Sequence, residues 1–294
     1  MSTGNKSSVK WGPLILGNIA NGDLLKSTFK KYKIKAVMHF AADAYIDESI
    51  KNPRKYIQNN VIGTINLLNA MLDSGIKYFV FSSSCATYGI SKEMPLTENH
   101  YCQPINPYGE SKLFIENMLK WYSNIYQLNW VALRYFNAAG ADPDNEIGEN
   151  HNPETHIIPL AIYTALGRQL YFNINGTDFA TKDGTAIRDY LHVSDIARAH
   201  VLAIDYLLSK GKSNIMNLGT GKGHSIYEII HAVEKFSDKI IPLKKNQRRE
   251  GDAPILIANA KKAEKILGWQ PIYKTIDGII ETAWNWYTKR ESNE

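Results

Sequence analysis

Short, mostly apolar runs separated by stretches with helical spacing constrain this chain more than any other feature. Ala36-Val37-Met38-His39-Phe40, Tyr78-Phe79-Val80-Phe81 and Trp130-Val131-Ala132-Leu133-Arg134-Tyr135 are too short for helices and too apolar to face water on one side. That is the pattern of strands covered on both faces. Between them, Tyr56 to Leu72 carries Ile57, Val61, Ile65, Leu68 and Leu72 at intervals of four, four, three and four. Ser111 to Tyr126 carries Leu113, Ile115, Leu119 and Tyr122 in a second helical stretch. Strand–helix alternation with buried strands gives an α/β fold built on a parallel sheet. Ligands of such sheets bind beyond the carboxyl ends of the strands. His39-Phe40-Ala41, Ser82-Ser83-Ser84 and Tyr135-Phe136-Asn137 all fall at those ends, so one crevice is expected there.

After Asn137 the texture changes. Ala138 to Thr155 is rich in Gly, Asp, Asn and Pro and reads as a long loop. From Ile157 the segments are shorter and mixed. The expected organisation is a domain over residues 1–138 and a smaller substrate lobe over 139–294, with later segments returning to the first. The 34 basic and 29 acidic residues leave a charge of +5, which suits a pocket for an anion and is too scattered for nucleic acid. Cys85 and Cys102 are too few for a disulfide framework or a zinc cluster and read as reduced thiols. No run of 18 apolar residues exists, and Met1 to Lys10 lacks the apolar centre of a signal peptide. A cytoplasmic protein with no membrane association is expected.

Within Pro107-Tyr108-Gly109-Glu110-Ser111-Lys112 a tyrosine and a lysine stand one helical turn apart. A phenol with a pKa near 10 is a poor base at neutral pH. A cation one turn away can lower that pKa, and a serine at the end of a neighbouring strand can share the proton's path. Tyr108, Lys112 and Ser84 are therefore the candidate proton-transfer group.

The ordered blocks Phe81-Ser82-Ser83-Ser84, Pro107-Tyr108-Gly109 through Lys112, Leu133-Arg134-Tyr135-Phe136-Asn137, Asp183-Gly184-Thr185, Arg188-Asp189-Tyr190-Leu191-His192-Val193, Asn217-Leu218-Gly219-Thr220-Gly221 and Arg248-Arg249-Glu250-Gly251-Asp252 carry a resemblance over nearly the whole chain. The chain resembles the UDP-glucose 4-epimerases, members of the extended short-chain dehydrogenase/reductase family. The resemblance implies a Rossmann-like doubly wound sheet, NAD as cofactor, a UDP-sugar as substrate and a homodimer formed through helices Tyr56–Leu72 and Ser111–Tyr126. Tyr108 would take the proton of the sugar's 4-hydroxyl while hydride leaves C4 for NAD. Lys112 would hold the nicotinamide ribose and Ser84 the reacting oxygen. Asn18, Ile19, Phe40, Ala41, Ala42, Asp43, Ala44, Asn60 and Phe136 would face the cofactor. Asn137, His156, Asn173, Ile174, Asn175, Arg188, Arg249, Asp252 and Leu256 would face the substrate, with the two arginines on its diphosphate. No metal site is expected, because His156 has no ligand partners at a useful spacing. The position of Leu256 borders the sugar's 2-substituent, and leucine there implies tolerance of N-acetyl sugars.

The family opens with a strand, a Gly-x-x-Gly-x-x-Gly turn, a helix and a second strand ending in an acidic residue. Gly12, Gly17, Gly22 and Gly63 have no such spacing. Ser2-Thr3-Gly4-Asn5 resembles the text just after that acidic residue, so a domain truncated by roughly 30 or more residues is expected. A start further upstream, a decayed gene and a separate chain supplying the segment are the three explanations. The rival activities are a nucleotide-sugar dehydratase and UDP-sugar binding without turnover. Dehydratases usually place Asp-Glu after the serine or threonine, where this chain has Cys85-Ala86.

Overall fold

A computed structural model describes residues 3–249 and 252–291. Ser2 and the Glu250-Gly251 pair of the blocks above lie outside the described residues. The central sheet is parallel, in the order β1 (Ala36–His39), β2 (Tyr78–Ser84), β3 (Asn129–Tyr135) and a returning strand, Asn214–Leu218. Alternation along the strands sends Phe79, Phe81, Trp130 and Ala132 to one face, where Leu67, Leu68, Met71, Ile115 and Leu119 of two helices cover them. Val80, Val131, Leu133, Met216 and Leu218 face the other way, under helix Val193–Leu208 and the fully buried Trp269. The sheet is thus sandwiched between helices, as the apolar strands predict. A second core gathers helices Ile157–Ala165, Ile226–Ser237 and Ile276–Glu291.

Three boundaries differ from the sequence reading, each for a polar reason. The serine run lies inside β2, because Ser82, Ser83 and Ser84 pair with Leu133, Arg134 and Tyr135. The second helix starts at Pro107, four residues early, because the Asn106 side chain caps it by accepting from the Gly109 N–H at 2.9 Å. The first helical stretch buries Tyr56, Asn60, Thr64, Leu67, Leu68 and Met71, a stripe one residue off the one predicted. A π-helical turn over Ile57–Ile62 occurs there. Thr64 is buried through its bond to His39 Nε2 (2.8 Å), so apolar periodicity alone misplaces the face. Burial holds that imidazole neutral, its pKa near 3.

One buried ion pair fastens the helix Pro107–Tyr126 to the sheet. Glu116, with no exposed surface, accepts from Arg134 Nε (2.9 Å) and Ser83 Oγ (2.6 Å), and its second oxygen takes Arg134 Nη2. Arg134 stacks over the Tyr88 ring. Removing one partner of such a pair strands a buried charge. Glu116→Ala is expected to lose about 3–5 kcal/mol in urea denaturation, whereas the double variant Glu116→Met, Arg134→Met recovers most of the loss.

Candidate active site

Residue type at the helix start sets the geometry of the site. Gly109 lets the first turn approach the turn after β2, for a Cβ there would sit 2.5 Å from the Ala86 carbonyl oxygen. The contact brings Tyr108 against Ser84 at the carboxyl end of β2. Tyr108 is half-buried. Desolvation pushes its pKa well above the ordinary tyrosine range, the neighbouring Tyr135 adds to the rise, and the Ser84 hydroxyl opposes it.

Lys112 points from the same helix face, and its side chain is 3% exposed. Its Nζ donates to the Ser82 carbonyl (2.8 Å) and lies 5.0 Å from the Phe81 ring centre and 5.7 Å from that of Tyr108. Burial lowers its pKa to about 8, with Glu116 pulling the other way. The expectation that Lys112 lowers the Tyr108 pKa is therefore corrected: burial sets both groups, raising the phenol and weakening the ammonium. Ser82 Oγ bonds Tyr135 OH, so a second phenol lies beside the pair. Behind Ser84, Cys85 packs with Phe136 and Leu256. Burial raises the Cys85 thiol to about 12 and the Arg188 guanidinium opposes this, which places Arg188 within electrostatic reach of the turn. Leu256 pairs with Arg188 across two short strands. The chain thus brings Ser84, Tyr108, Lys112, Phe136, Arg188 and Leu256 to one place.

Asn137 begins a strand beside that place, its N–H donating to the Asp189 carbonyl. The Asp189 carboxylate was not singled out by the sequence reading. It is buried and receives Thr220 N and Oγ1, Gly221 N and Ala258 N at 2.6–3.1 Å, clamping three chain segments together. Only the recurrence of both blocks in one resemblance hinted at it.

Other predicted residues stand in a second wall. Tyr45 packs against the rings of His151 and His156, and Arg249 reaches Asp47 at 3.4 Å. Asp252 lies 4.0 Å from Arg188. Asn173 and Asn175 are bridged by the Asn246 amide. Ile174 is fully buried in the second core, so its side chain is not available to a ligand. Asn60 is likewise redirected. Its Oδ1 accepts from Asp43 N (2.8 Å) and from Asn59, and its Nδ2 donates to Asp43 O (2.9 Å) and Ser111 Oγ (3.2 Å). An amide has two donors and two acceptor sites, so this one is fully engaged in holding the loop after β1 to helix Pro107–Tyr126. Phe40, Ala41 and Ala44 are exposed, Ala42 half-buried, and Asp43 pairs with Lys55 at 3.2 Å. Asn18 is exposed and Ile19 packs on Gly63. The expectation of no ligand partners for His156 is overturned, because Glu149, His151 and Glu154 surround it.

The family model described as GDP-mannose 4,6 dehydratase matches residues 5–282. A UDP-glucose 4-epimerase of Rhizobium meliloti is 49% identical over 290 residues, 99% of this chain and 88% of that protein. The chain belongs to the UDP-glucose 4-epimerase family. Among solved structures, the UDP-glucose 4-epimerase of Brucella ovis in complex with NAD superposes with a TM-score of 0.94 at 47% identity, over 96% of this chain and 87% of that one. That of Bifidobacterium longum in complex with NAD+ and UDP gives 0.93 at 34% identity, over 99% and 90%. The dehydratase model matches the same stretch of the chain as the epimerase relatives, and the identities of 47% and 49% fall on epimerases.

A depressed lysine has a definite effect on stability. The folded pKa of Lys112 is below its unfolded value, so the cost of burying the charge is fully present below about pH 8. It is relieved as pH rises from about 8 towards the unfolded lysine value near 10.4. Wild type is therefore expected to gain stability relative to Lys112→Met between pH 7 and pH 11, by about 3 kcal/mol in urea titrations. A pH-independent difference would contradict the burial argument.

Proposed function

We propose that the chain is an NAD-dependent UDP-sugar 4-epimerase, an isomerase interconverting UDP-glucose and UDP-galactose. The observation that carries this reading is Tyr108 packed beside Ser84 with Lys112 one turn on, in a chain 49% identical to an epimerase over almost its whole length. NAD, when bound, supplies the hydride acceptor at C4. Tyr108 holds and moves the proton of the 4-hydroxyl, and Ser84 orients that oxygen. An ammonium has three donors, and Lys112 gives one to Ser82, which leaves donors for ribose hydroxyls. The exposed Ala41 and the half-buried Ala42, at the carboxyl end of β1, give a dinucleotide a close approach, and Phe136 packs with Cys85 in the turn after β2. Asn18 and Ile19 would meet its adenosine end. Arg188 and Arg249 hold the diphosphate of the UDP-sugar. Asn137, His156, Asn173, Asn175 and Asp252 supply its remaining polar contacts. Residues 1–138 with the returning strand form the cofactor half and most of 139–294 the substrate half. Asn60 and Asp43 act as positioning residues.

The chain is further proposed to pair as a homodimer. Phe114, Met118, Trp121 and Ile125 form one stripe of helix Pro107–Tyr126, with Trp121 65% and Ile125 66% exposed. Such a stripe in water suits a second copy. Trp121→Glu is expected to convert dimer to monomer in analytical ultracentrifugation; a monomeric wild type sinks the idea.

Tyr108→Phe should lower kcat for UDP-galactose about 10²–10⁴-fold, with unchanged thermal midpoint and NAD content. A wild type that holds UDP-sugar but neither NAD nor turnover would favour binding without catalysis. Leu256, half-buried beside Arg188, borders the place of the sugar's 2-substituent. Turnover of UDP-N-acetylglucosamine by wild type and its loss in Leu256→Tyr, with UDP-glucose turnover kept, are the expected outcomes; no N-acetyl activity in wild type would refute the tolerance.

A further inference from the structure

The loop before helix Ile157–Ala165 carries Glu149, His151, Glu154 and His156 within eight residues, and one donor atom from each lies within 4.8 Å of all the others. Glu149 Oε1 is 2.9 Å from His151 Nδ1 and also touches His156 Nδ1. Glu154 Oε1 lies 3.8 and 4.0 Å from the same two nitrogens. Tetrahedral zinc with ligands at about 2.0–2.2 Å needs its donors about 3.3–3.6 Å apart, so shifts of an ångström or less close this set around an ion.

Two independent features mark the cluster as built for a ligand. The Glu154 side chain is 4% exposed; its Oε1 accepts from the Thr155 and His156 N–H groups at 2.7 and 2.9 Å, and its Oε2 is buried without a hydrogen-bond partner. His151 Nδ1, though near Glu149, is also buried with no aligned bond. Unpaired polar atoms are costly unless something satisfies them. The loop is also held in place from outside. Trp286 Nε1 and Tyr287 OH both donate to the Glu149 carbonyl at 3.0 Å, Gly148 lies flat under the Trp286 ring, and Tyr45 covers the two imidazoles.

We infer that Glu149, His151, Glu154 and His156 bind one zinc-class divalent cation as a closed structural site. Two carboxylates balance its charge, and two imidazoles select it over calcium or magnesium, which prefer all-oxygen shells. Four protein ligands leave no open position for metal-bound water chemistry. The ion locks the loop between Tyr45 and helix Ile276–Glu291. With Nδ1 on the metal, His156 carries its proton on Nε2 and presents a fixed donor outward, towards the diphosphate side. The metal site itself does not depend on the proposed epimerase activity.

The test is metal analysis of the untagged full chain, stripped with chelator, reloaded with zinc chloride and desalted. One zinc per chain is expected in wild type and in His231→Ala, a change at an exposed histidine elsewhere. His151→Ala and Glu154→Gln should each retain less than a tenth of that, with circular dichroism checking their fold. Cobalt loaded into wild type should give the intense visible bands of a tetrahedral site, a readout that needs no variant. Less than a tenth of an equivalent in wild type, only the weak bands of octahedral cobalt, or undiminished zinc in both folded variants would overturn the inference.

Discussion

The buried Glu116–Arg134 pair is the interaction on which the rest of the site depends. Tyr108, Lys112 and Glu116 recur every four residues and so share one face of one helix. Glu116 bonds Arg134 on β3 and Ser83 on β2, the residue next to Ser84 in the same strand. The ion pair therefore sets the depth at which the helix lies on the sheet. Lys112 reaches the Ser82 carbonyl from that position, and Gly109 permits the contact that seats Tyr108. A buried ion pair adds little net stability over well-packed apolar groups, but it fixes one arrangement because every alternative strands a charge.

Beyond this helix, buried carboxylates do the joining. Asp189 gathers the backbone of residues 220, 221 and 258. Asp195 accepts from the backbone N–H groups of Ile272 and Tyr273, while its carbonyl takes the indole of Trp269. Each ties a segment distant in sequence to the carboxyl-terminal side of the sheet, where loops alone would not hold position. The later segments of the chain are therefore fastened together by hydrogen-bonded acids as well as by apolar contact.

Much of this was legible in the residues. The apolar runs gave the parallel sheet, and the ordered blocks carried the family and the placing of Tyr108, Lys112 and Ser84, while the helix start at Asn106-Pro107 was passed over. The misreadings share one cause. Asn60, Thr64 and the three serines are polar and buried, so a reading that equates burial with apolarity moves the helix face by a residue and ends β2 too early. Lys112 shows the same limit in electrostatics, since spacing supplies the neighbour but not the desolvation that lowers its own pKa.

The sequence by itself determined the fold class, the family and the residue types of the proton-transfer group, because those follow from local periodicity and from motifs contiguous in the chain. Only the tertiary structure decided which groups are charged and which are engaged. Whether Tyr108 is raised or lowered and whether Asn60 is free for a ligand depend on burial and on partners up to 51 residues away. Those properties arise when chain segments meet, and no local pattern encodes the dielectric or the hydrogen bonds of that meeting.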